Sequence, residues 1–174
     1  VVIVSYANGD ATSKSAAQQL ARLKAKYPSV EFLLVNSVLT DSFASIAADA
    51  AANGISLPLL DDENQLVGEM LGVTHAGEAF VLDPKSWKVV YQGAVDASAA
   101  SAQSAGYLEA ALTDLAAGRV IKTAKSSGKG APIAFPAKAR AAEAKNGVNI
   151  GYSIPQQGSA MWFDMMAIPK TAKH

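Results

Sequence analysis

Two runs of apolar residues in the first part of the chain predict buried strands. Val1–Ala7 has the sequence VVIVSYA and Glu31–Ser37 has the sequence EFLLVNS. Continuous apolar runs of this length, rich in β-branched and large aliphatic side chains, are typical of strands covered on both faces by other elements. The pattern therefore predicts the interior of a sheet, with Val1–Ala7 as a central strand.

Apolar side chains at helical spacing predict a helix after each of these strands. The first helix has apolar positions at Ala16, Leu20, Leu23 and Tyr27, a predicted cap at Thr12 or Ser13, and an end at Pro28. The second has Phe43, Ile46 and Ala50 facing inward, a cap at Asp41 or Ser42, and a stop at Asn53-Gly54.

The rest of the pattern predicts three short strands and two more helices. The strands are Leu57–Leu60, Glu78–Asp83 and Lys88–Gln92, and the last two form a hairpin. The helices are Gln65–Leu71 and Gly106–Ala117, and small residues at 97–105 link the hairpin to the last helix. Alternating strands and helices followed by a hairpin predict an α/β fold with a mixed central sheet.

Composition changes at Gly118. Residues 1–118 carry six basic and thirteen acidic side chains, whereas residues 119–174 carry nine basic and two acidic ones. Residues 119–136 are basic and rich in Gly, Ser and Pro, which predicts a linker between a domain at 1–118 and an extended C-terminal tail at 137–174. The tail is predicted to hold a helix at 137–146 and strands at 148–153 and 162–168. It is either a solvated basic tail or a segment that lies against the acidic domain or an acidic partner.

Several classes of function are excluded by what the sequence lacks. It has no cysteine, which removes disulfides, thiolate catalysis and Cys-ligated metals. No metal site is expected, because Asp61, Asp62 and Glu63 lack the spacing of a calcium loop and favour a solvated turn over a weak cation site. Without a glycine-rich phosphate loop, no cofactor is expected. Nucleic-acid binding is not expected, since no aromatic residues interleave with Lys122, Lys125 and Lys129. No run reaches the length of a membrane span.

The element order and its loops resemble the redoxin branch of the thioredoxin superfamily, which contains thiol–disulfide interchange and peroxiredoxin-like proteins. The matching stretches are VVIVSYANGDATSKSAAQQLARLKAKYP, VEFLLVNS, LPLLDDENQLVGEMLGVTHAGEAFVLDP and VVYQGAVD. The run from Leu57 to Asp96 is the most specific, with its acidic turn, its LGVT motif and its strand that ends in Asp-Pro. The resemblance implies a thioredoxin-like three-layer sandwich over residues 1–118.

The residues that carry redoxin chemistry are replaced in this chain. The family places its attacking cysteine at the start of the first helix, where Asp10 stands here, and Ser13 takes the resolving position. Gly77 stands where the family has a cis-proline, and Gly130-Ala131-Pro132-Ile133 has alanine where some relatives carry a further cysteine. The chemistry needs a thiolate at a helix N-terminus. The chain is therefore not expected to be an enzyme by its own residues.

Two interpretations of the old active-site region stay open. In the first interpretation, Asp10 is a helix cap and His75 is a surface contact residue. In the second, Asp10, Ser13 and His75 form a new polar site. The leading hypothesis is a redox-inactive binding or scaffold module for a protein partner. Its docking face is predicted to contain Tyr6, Asn8, Asp10, Ser13, Thr74, His75, Ala76 and Gly77. The alternative is a thiol oxidoreductase or peroxidase relative that depends on a thiol supplied by a partner.

The C-terminal run resembles a second family. Residues 138–174, KARAAEAKNGVNIGYSIPQQGSAMWFDMMAIPKTAKH, are similar to a segment of periplasmic polyamine-binding proteins, the solute receptors of ABC transporters. The resemblance implies that Trp162 stacks on a polyamine and that Asp164 pairs with an ammonium group. The other interpretation makes Trp162, Phe163, Met165 and Met166 core or interface residues. Both resemblances imply a periplasmic or extracellular location. Because two unrelated families are joined in one chain, the sequence can be a fusion, an engineered chimera or a fragment of a longer chain.

Overall fold

A computed structural model of the chain describes residues 1–96 and 106–136. The chain divides into two compact units, Val1–Ala134 and Phe135–His174. All the elements that follow belong to the first unit. The predicted linker at 97–105, the predicted helix at 137–146 and the predicted strands at 148–153 and 162–168 lie outside the described residues.

Five strands form one mixed sheet in the order β3-β2-β1-β4-β5. They are β1 (Val2–Tyr6), β2 (Phe32–Asn36), β3 (Leu59–Asp61), β4 (Glu78–Leu82) and β5 (Val89–Ala94). The central strand β1 pairs in parallel with β2 and antiparallel with β4, so that Val4 lies between Leu34 and Ala79. The mixed sheet and the central position of the first strand confirm the prediction.

Four helices complete the described part of the fold. They are α1 (Ala11–Lys26), α2 (Phe43–Ala52), α3 (Leu66–Leu71) and α4 (Tyr107–Ala116). Together with the mixed sheet they confirm the predicted α/β class, and the arrangement is consistent with a thioredoxin-like sandwich. Within the described residues, none of the helices combines the length and apolar character needed to cross a membrane.

Helices α1 and α4 share the main hydrophobic core with the sheet. The fully buried members include Val2, Val4, Leu20, Leu34 and Leu108. The two helices also contact each other, because Tyr27 Oη lies 2.9 Å from Thr113 Oγ1 and an ion pair joins Lys26 to Glu109. Successive side chains of a strand point to opposite faces. The buried Val35 and Phe80, which lie outside this cluster, therefore face the other side of the sheet.

The caps of the first two helices differ in part from prediction. Asp10 is the N-cap of α1, which confirms the interpretation of Asp10 as a helix cap. The other prediction, a cap at Thr12 or Ser13, was wrong by two or three residues. Ser13 is fully buried instead, and its hydroxyl accepts a hydrogen bond from Ala7 N at 3.2 Å. Ser42 caps α2, as one of the two predicted alternatives stated.

The prediction that Phe43 faces inward was wrong. Phe43 is 75% exposed, and Ile46 is the buried residue of α2. The spacing of these two residues places them on one side of the helix. Phe43, however, is in the first turn, directly after the cap, and no described element covers it.

Residues 119–134, called the strap below, run along the sheet and then over the loop before β4. Gln92 N in β5 donates to Ala124 O, and Ser126 N donates to Gln92 O, both at 2.9 Å. An edge strand has unpaired donors and acceptors that a Gly- and Ser-rich segment can satisfy. The compact unit consequently extends to Ala134, whereas composition alone placed the domain boundary at Gly118.

Candidate binding face

The turn after β1 and the loop before β4 come together at one end of the sheet. Gly77 N donates to Ser5 O at 2.8 Å, and a Cβ atom added at Gly77 would lie 2.8 Å from Thr12 Cγ2. Gly77 has a φ of +71°, a backbone conformation that residues with a Cβ rarely adopt. The Asp10 turn and the Gly77 loop are therefore neighbours, as the alignment with redoxins requires.

The carboxylate of Asp10 has two separate partners. Oδ1 accepts a hydrogen bond from Ser13 N at 2.6 Å, which caps α1. Oδ2 accepts one from Ala131 N at 3.2 Å, which holds the strap. Asp10 thus stabilises a helix and binds main chain at the same time.

Backbone pairing fixes the strap against the loop at 74–76. Ala76 N donates to Ala131 O at 2.8 Å, and Ile133 N donates to Thr74 O at 3.0 Å. His75 and Pro132 form an antiparallel bridge between these bonds. We call this part of the surface, formed by Asp10, Thr74, His75 and Ala76, the Asp10 face.

Two glycines allow the strap to approach this closely. A Cβ atom at Gly130 would overlap the carbonyl oxygen of Ala76 and lie 2.8 Å from its carbonyl carbon. A Cβ atom at Gly128 would lie 2.9 Å from His75 Cβ. Glycine is the residue that lets two backbones meet at such distances.

Glu78 organises the loop from beneath and was missed in the sequence analysis. It is 2% exposed, and its Oε2 accepts hydrogen bonds from Thr74 N at 2.9 Å, Thr74 Oγ1 at 3.0 Å and His75 N at 3.3 Å. Its Oε1 accepts one from Gln92 Nε2 at 2.9 Å. The signal in the sequence is a carboxylate at the first position of an otherwise apolar strand, since a buried charge requires partners.

Ser5, on the central strand, supports the same loop and was also missed. Its hydroxyl donates to His75 O at 2.6 Å and accepts from Glu78 N at 3.0 Å. A hydroxyl in the middle of a buried apolar strand needs such partners. Ser5 and Glu78 together hold the loop in the shape that receives the strap.

A second network joins the turn after β1 to α2. Tyr6 is 1% exposed, and its hydroxyl donates to Asp49 Oδ2 at 2.5 Å. Asp41 Oδ2 accepts from Asn8 N at 3.0 Å and from Asn36 Nδ2 at 2.8 Å. Burial and the Asp49 carboxylate raise the pKa of Tyr6 well above its usual value, so the hydroxyl stays protonated and remains a donor.

The predicted docking residues fall into two groups. Tyr6, Ser13 and Gly77 are buried beneath the face, and Ala76, which belongs to the face, is buried against the strap. Thr74 is exposed, whereas Asn8, Asp10 and His75 are partly exposed. Trp162 and Asp164, the predicted polyamine contacts, lie outside the described residues.

The described residues do not assemble the alternative polar site. His75 Nδ1 lies 2.9 Å from Thr74 Oγ1, and no hydrogen bond within the described ranges joins His75 to Asp10 or Ser13. A cavity beside this face, lined in part by Thr12 and Gly77, has a volume of about 40 Å³, which is the size of one or two water molecules. This cavity is too small to enclose a substrate of ordinary size.

The acidic turn after β3 has a structural role. Asp62 is buried, and its carboxylate accepts hydrogen bonds from Ser37 Oγ at 2.7 Å, Gly68 N at 2.9 Å and Val67 N at 3.1 Å. It thereby satisfies the free amides at the start of α3. Over residues 1–96 and 106–136, no group of three metal-ligating side chains could hold an ion.

Comparison with known proteins gives partial matches. No known family profile matches the chain. It is 43% identical over 63 residues to the putrescine-binding periplasmic protein SpuD of Pseudomonas aeruginosa (strain UCBPP-PA14), a match that covers 36% of this chain and 16% of that protein. It is 50% identical over 40 residues to the putrescine-binding periplasmic protein PotF of Escherichia coli (strain K12), covering 23% and 11% respectively. The chain thus spans less than a fifth of the length of these two relatives.

Solved structures share the fold over most of the chain. An uncharacterized conserved protein from Geobacillus kaustophilus superposes with a TM-score of 0.66 at 26% sequence identity, covering 77% of this chain and 76% of that one. The hypothetical protein SMc02350 from Sinorhizobium meliloti 1021 superposes with a TM-score of 0.64 at 20% identity, covering 76% and 77%. Neither description states a function, and membership of the thioredoxin superfamily remains a prediction. The chain is similar in fold to these proteins and similar in part of its sequence to periplasmic putrescine-binding proteins.

Proposed function

We propose that this chain is a redox-inactive, thioredoxin-like binding or scaffold module whose Asp10 face holds an extended segment of polypeptide. The observation that carries the proposal is the set of three hydrogen bonds between this face and Ala131 and Ile133 of the strap. All three are made to main-chain atoms, which any extended segment offers. The face can therefore recognise a partner by its backbone as it recognises its own strap.

The absence of cysteine supports a binding role over an oxidoreductase role. Asp10 occupies the helix start at which a thiolate would act, and both of its oxygens are engaged. A carboxylate cannot form the disulfide that thiol exchange requires. In this proposal the module belongs to a larger assembly of the cell envelope, a location that the names of the putrescine-binding relatives support.

A labelled peptide with the sequence of residues 124–134, AKSSGKGAPIA, tests the face directly by fluorescence anisotropy. In the unaltered chain the strap occupies the face, so binding should be weak. Gly130→Val prevents the strap from approaching Ala76 and should increase the affinity for the peptide at least tenfold. Hydrogen exchange at Ala131 and Ile133 verifies that the strap has been released.

Two controls separate backbone recognition from general attraction. A peptide N-methylated at the positions of Ala131 and Ile133 lacks two of the donors and should bind at least tenfold more weakly. Asp10→Asn in the Gly130→Val chain retains an oxygen for the cap but loses the second acceptor, and it should weaken binding several-fold. Equal binding of the methylated and unmethylated peptides would overturn the proposal.

The redox part of the proposal has its own assay. Insulin reduction and peroxide consumption by the isolated chain should equal the background rate, because no thiol is present. Any turnover would instead support the oxidoreductase alternative. Activity that arises only after addition of a thiol-bearing partner protein would support an oxidoreductase that depends on the thiol of its partner.

Polyamine binding is the second candidate, and the similarity to two putrescine-binding periplasmic proteins favours it. In this candidate, Trp162 would stack on the ligand and Asp164 would pair with an ammonium group. Calorimetry with putrescine and spermidine tests it, since saturable micromolar binding that is lost in Trp162→Ala would support it. Heats equal to those of dilution would exclude it for this chain.

A further inference from the structure

Large apolar side chains are exposed on α3 and on the segments that precede it in the chain. Met70 is 88% exposed and Phe43 is 75% exposed. The complete set is Leu39, Phe43, Leu60, Leu66, Val67 and Met70. Leu66 and Met70 lie four residues apart on α3, so they form one apolar stripe along that helix.

Hydrogen bonds tie these elements together. Gln65 Nε2 donates to Ser37 O, and Ser37 Oγ donates to Asp62 Oδ2, both at 2.7 Å. Asp62 N donates to Asn36 O at 2.8 Å. The segment that leads from β2 to Leu39 is thus fixed against the start of α3, which begins at Leu66. We call the surface formed by the exposed side chains Leu66, Val67 and Met70 of α3 the α3 face.

The stretch of chain that carries the α3 face has charges of one sign only. The sequence has no Lys, Arg or His between Lys26 and His75, whereas acidic residues occur throughout that stretch. Of these, Asp61, Glu63 and Glu69 are exposed on β3, the following turn and α3. An apolar surface bordered by carboxylates attracts cationic partners and repels acidic ones.

We propose that the α3 face is a docking surface for a basic amphipathic helix of a partner protein. An apolar stripe on such a helix would cover Leu66 and Met70, while flanking Lys and Arg side chains would meet Asp61, Glu63 and Glu69. Strand addition offers less, because β3 is only three residues long. A second copy of the same face would bring like charges together. The proposed surface shares no residue with the Asp10 face.

The test uses the full chain and a fluorescein-labelled 18-residue peptide of Leu and Lys, with leucines at positions i, i+3, i+4 and i+7. Anisotropy should show saturable binding, and a peptide of the same composition in scrambled order should bind at least tenfold more weakly. The double variant Leu66→Ser, Met70→Ser should lose at least tenfold in affinity. Val120→Ser is the matched control, because Val120 is 89% exposed on the strap and should leave affinity unchanged.

The charge requirement is tested separately. Glu63→Gln with Glu69→Gln should weaken binding several-fold and reduce its dependence on salt. A peptide of Leu and Glu in the same pattern should not bind.

Three results would overturn the proposal. The first is equal binding by the scrambled peptide, and the second is equal binding by the double serine variant. The third is a dimer in sedimentation that Leu66→Ser, Met70→Ser converts to a monomer, which would assign the face to a second copy. Matching thermal unfolding of all variants establishes that a loss of affinity is not a loss of folding.

Discussion

The Asp10 face and the α3 face differ in chemistry and in whether another part of the chain covers them. The Asp10 face is made of polar and main-chain groups, and the strap of the same chain satisfies them. The α3 face is apolar, and its largest side chains are exposed. Unpaired backbone donors and acceptors are costly once they are buried, whereas single exposed apolar side chains are tolerated. The polar groups of the Asp10 face are therefore paired within the chain, whereas the apolar side chains of the α3 face remain exposed.

The two faces also differ in how firmly the residues beneath them hold them in place. The Asp10 face rests on Glu78 and Ser5, which are buried and bonded on several sides. The α3 face rests on a helix of six residues whose buried residue is Gly68. Variants should therefore change global stability through the first face far more than through the second.

Glu78→Ala should have the largest effect on stability. It leaves the donors of Thr74, His75 and Gln92 without their acceptor, and the expected loss in free energy of unfolding is about 3 kcal/mol by urea denaturation. Glu78→Gln restores part of the bonding and should lose about 1 kcal/mol. Glu69→Ala on the α3 face should change stability by less than about 0.5 kcal/mol. If Glu78→Ala and Glu69→Ala lower the free energy of unfolding by the same amount, the inferred difference in rigidity between the two faces is wrong.

Gly93→Ala should have the next largest effect. Gly93 has a φ of +149°, and a Cβ atom there would overlap Ser126 Oγ and lie 2.7 Å from Ser126 N. Overpacking and strain should lower the free energy of unfolding by about 2 kcal/mol and detach the strap from β5. Gly9→Ala is the control, because its φ is +71° but nothing lies within 4 Å. Retained exchange protection of Ser126 N in Gly93→Ala would contradict the prediction.

Substitutions of Asp10 separate its two roles. Asp10→Ala removes the cap of α1 and should lower the free energy of unfolding by about 1 kcal/mol. Asp10→Asn can keep the cap through its amide oxygen but cannot also accept from Ala131 N. Its thermal unfolding should stay near that of the unaltered chain while hydrogen exchange at Ala131 accelerates. Equal exchange in the two proteins would show that the carboxylate does not hold the strap.

The smallest effect is a local pH dependence at the start of the strap. Asp114 accepts hydrogen bonds from the Arg119 guanidinium and from Lys122 N, and the bond with Arg119 holds the pKa of Asp114 below its usual value. A lowered carboxylate pKa stabilises the folded state above the ordinary value of 3.8. That stabilisation is lost as pH falls through the lower folded pKa. Exchange protection of Lys122 N should decline in that range, and Asp114→Asn should abolish the pH dependence.

The interior of the fold was predictable from sequence, because apolar periodicity is set by burial. The strand pattern VVIVSYA gave the central position of β1, and Asn53-Gly54 gave the end of α2 within two residues. Phe43 was predicted wrongly, since periodicity shows which residues share a side and not whether another element covers that side. The same reason explains why the α3 face was not foreseen.

The candidate site was predictable only in its location. Alignment placed Asp10 near Gly77, and the structure brings their turns together. The strap was not predictable, because Gly-, Ser- and Pro-rich composition is shared by free linkers and by segments that pair through backbone atoms. Glu78 was not predicted as a site residue, because only the folded loop and hairpin bring its partners to it. These partners are Thr74 N, His75 N and Gln92 Nε2.

The pairing of residues 124–126 with β5 also bears on self-association through the border of the sheet. At one border of the sheet this pairing engages Gln92 of β5, and the other border is the short β3, which ends in Asp61. Exposed sheet borders act as templates on which further chains polymerise. Release of the strap should therefore do more than open a binding face, since it would also expose the main-chain groups of Gln92 in β5 to pairing with another chain.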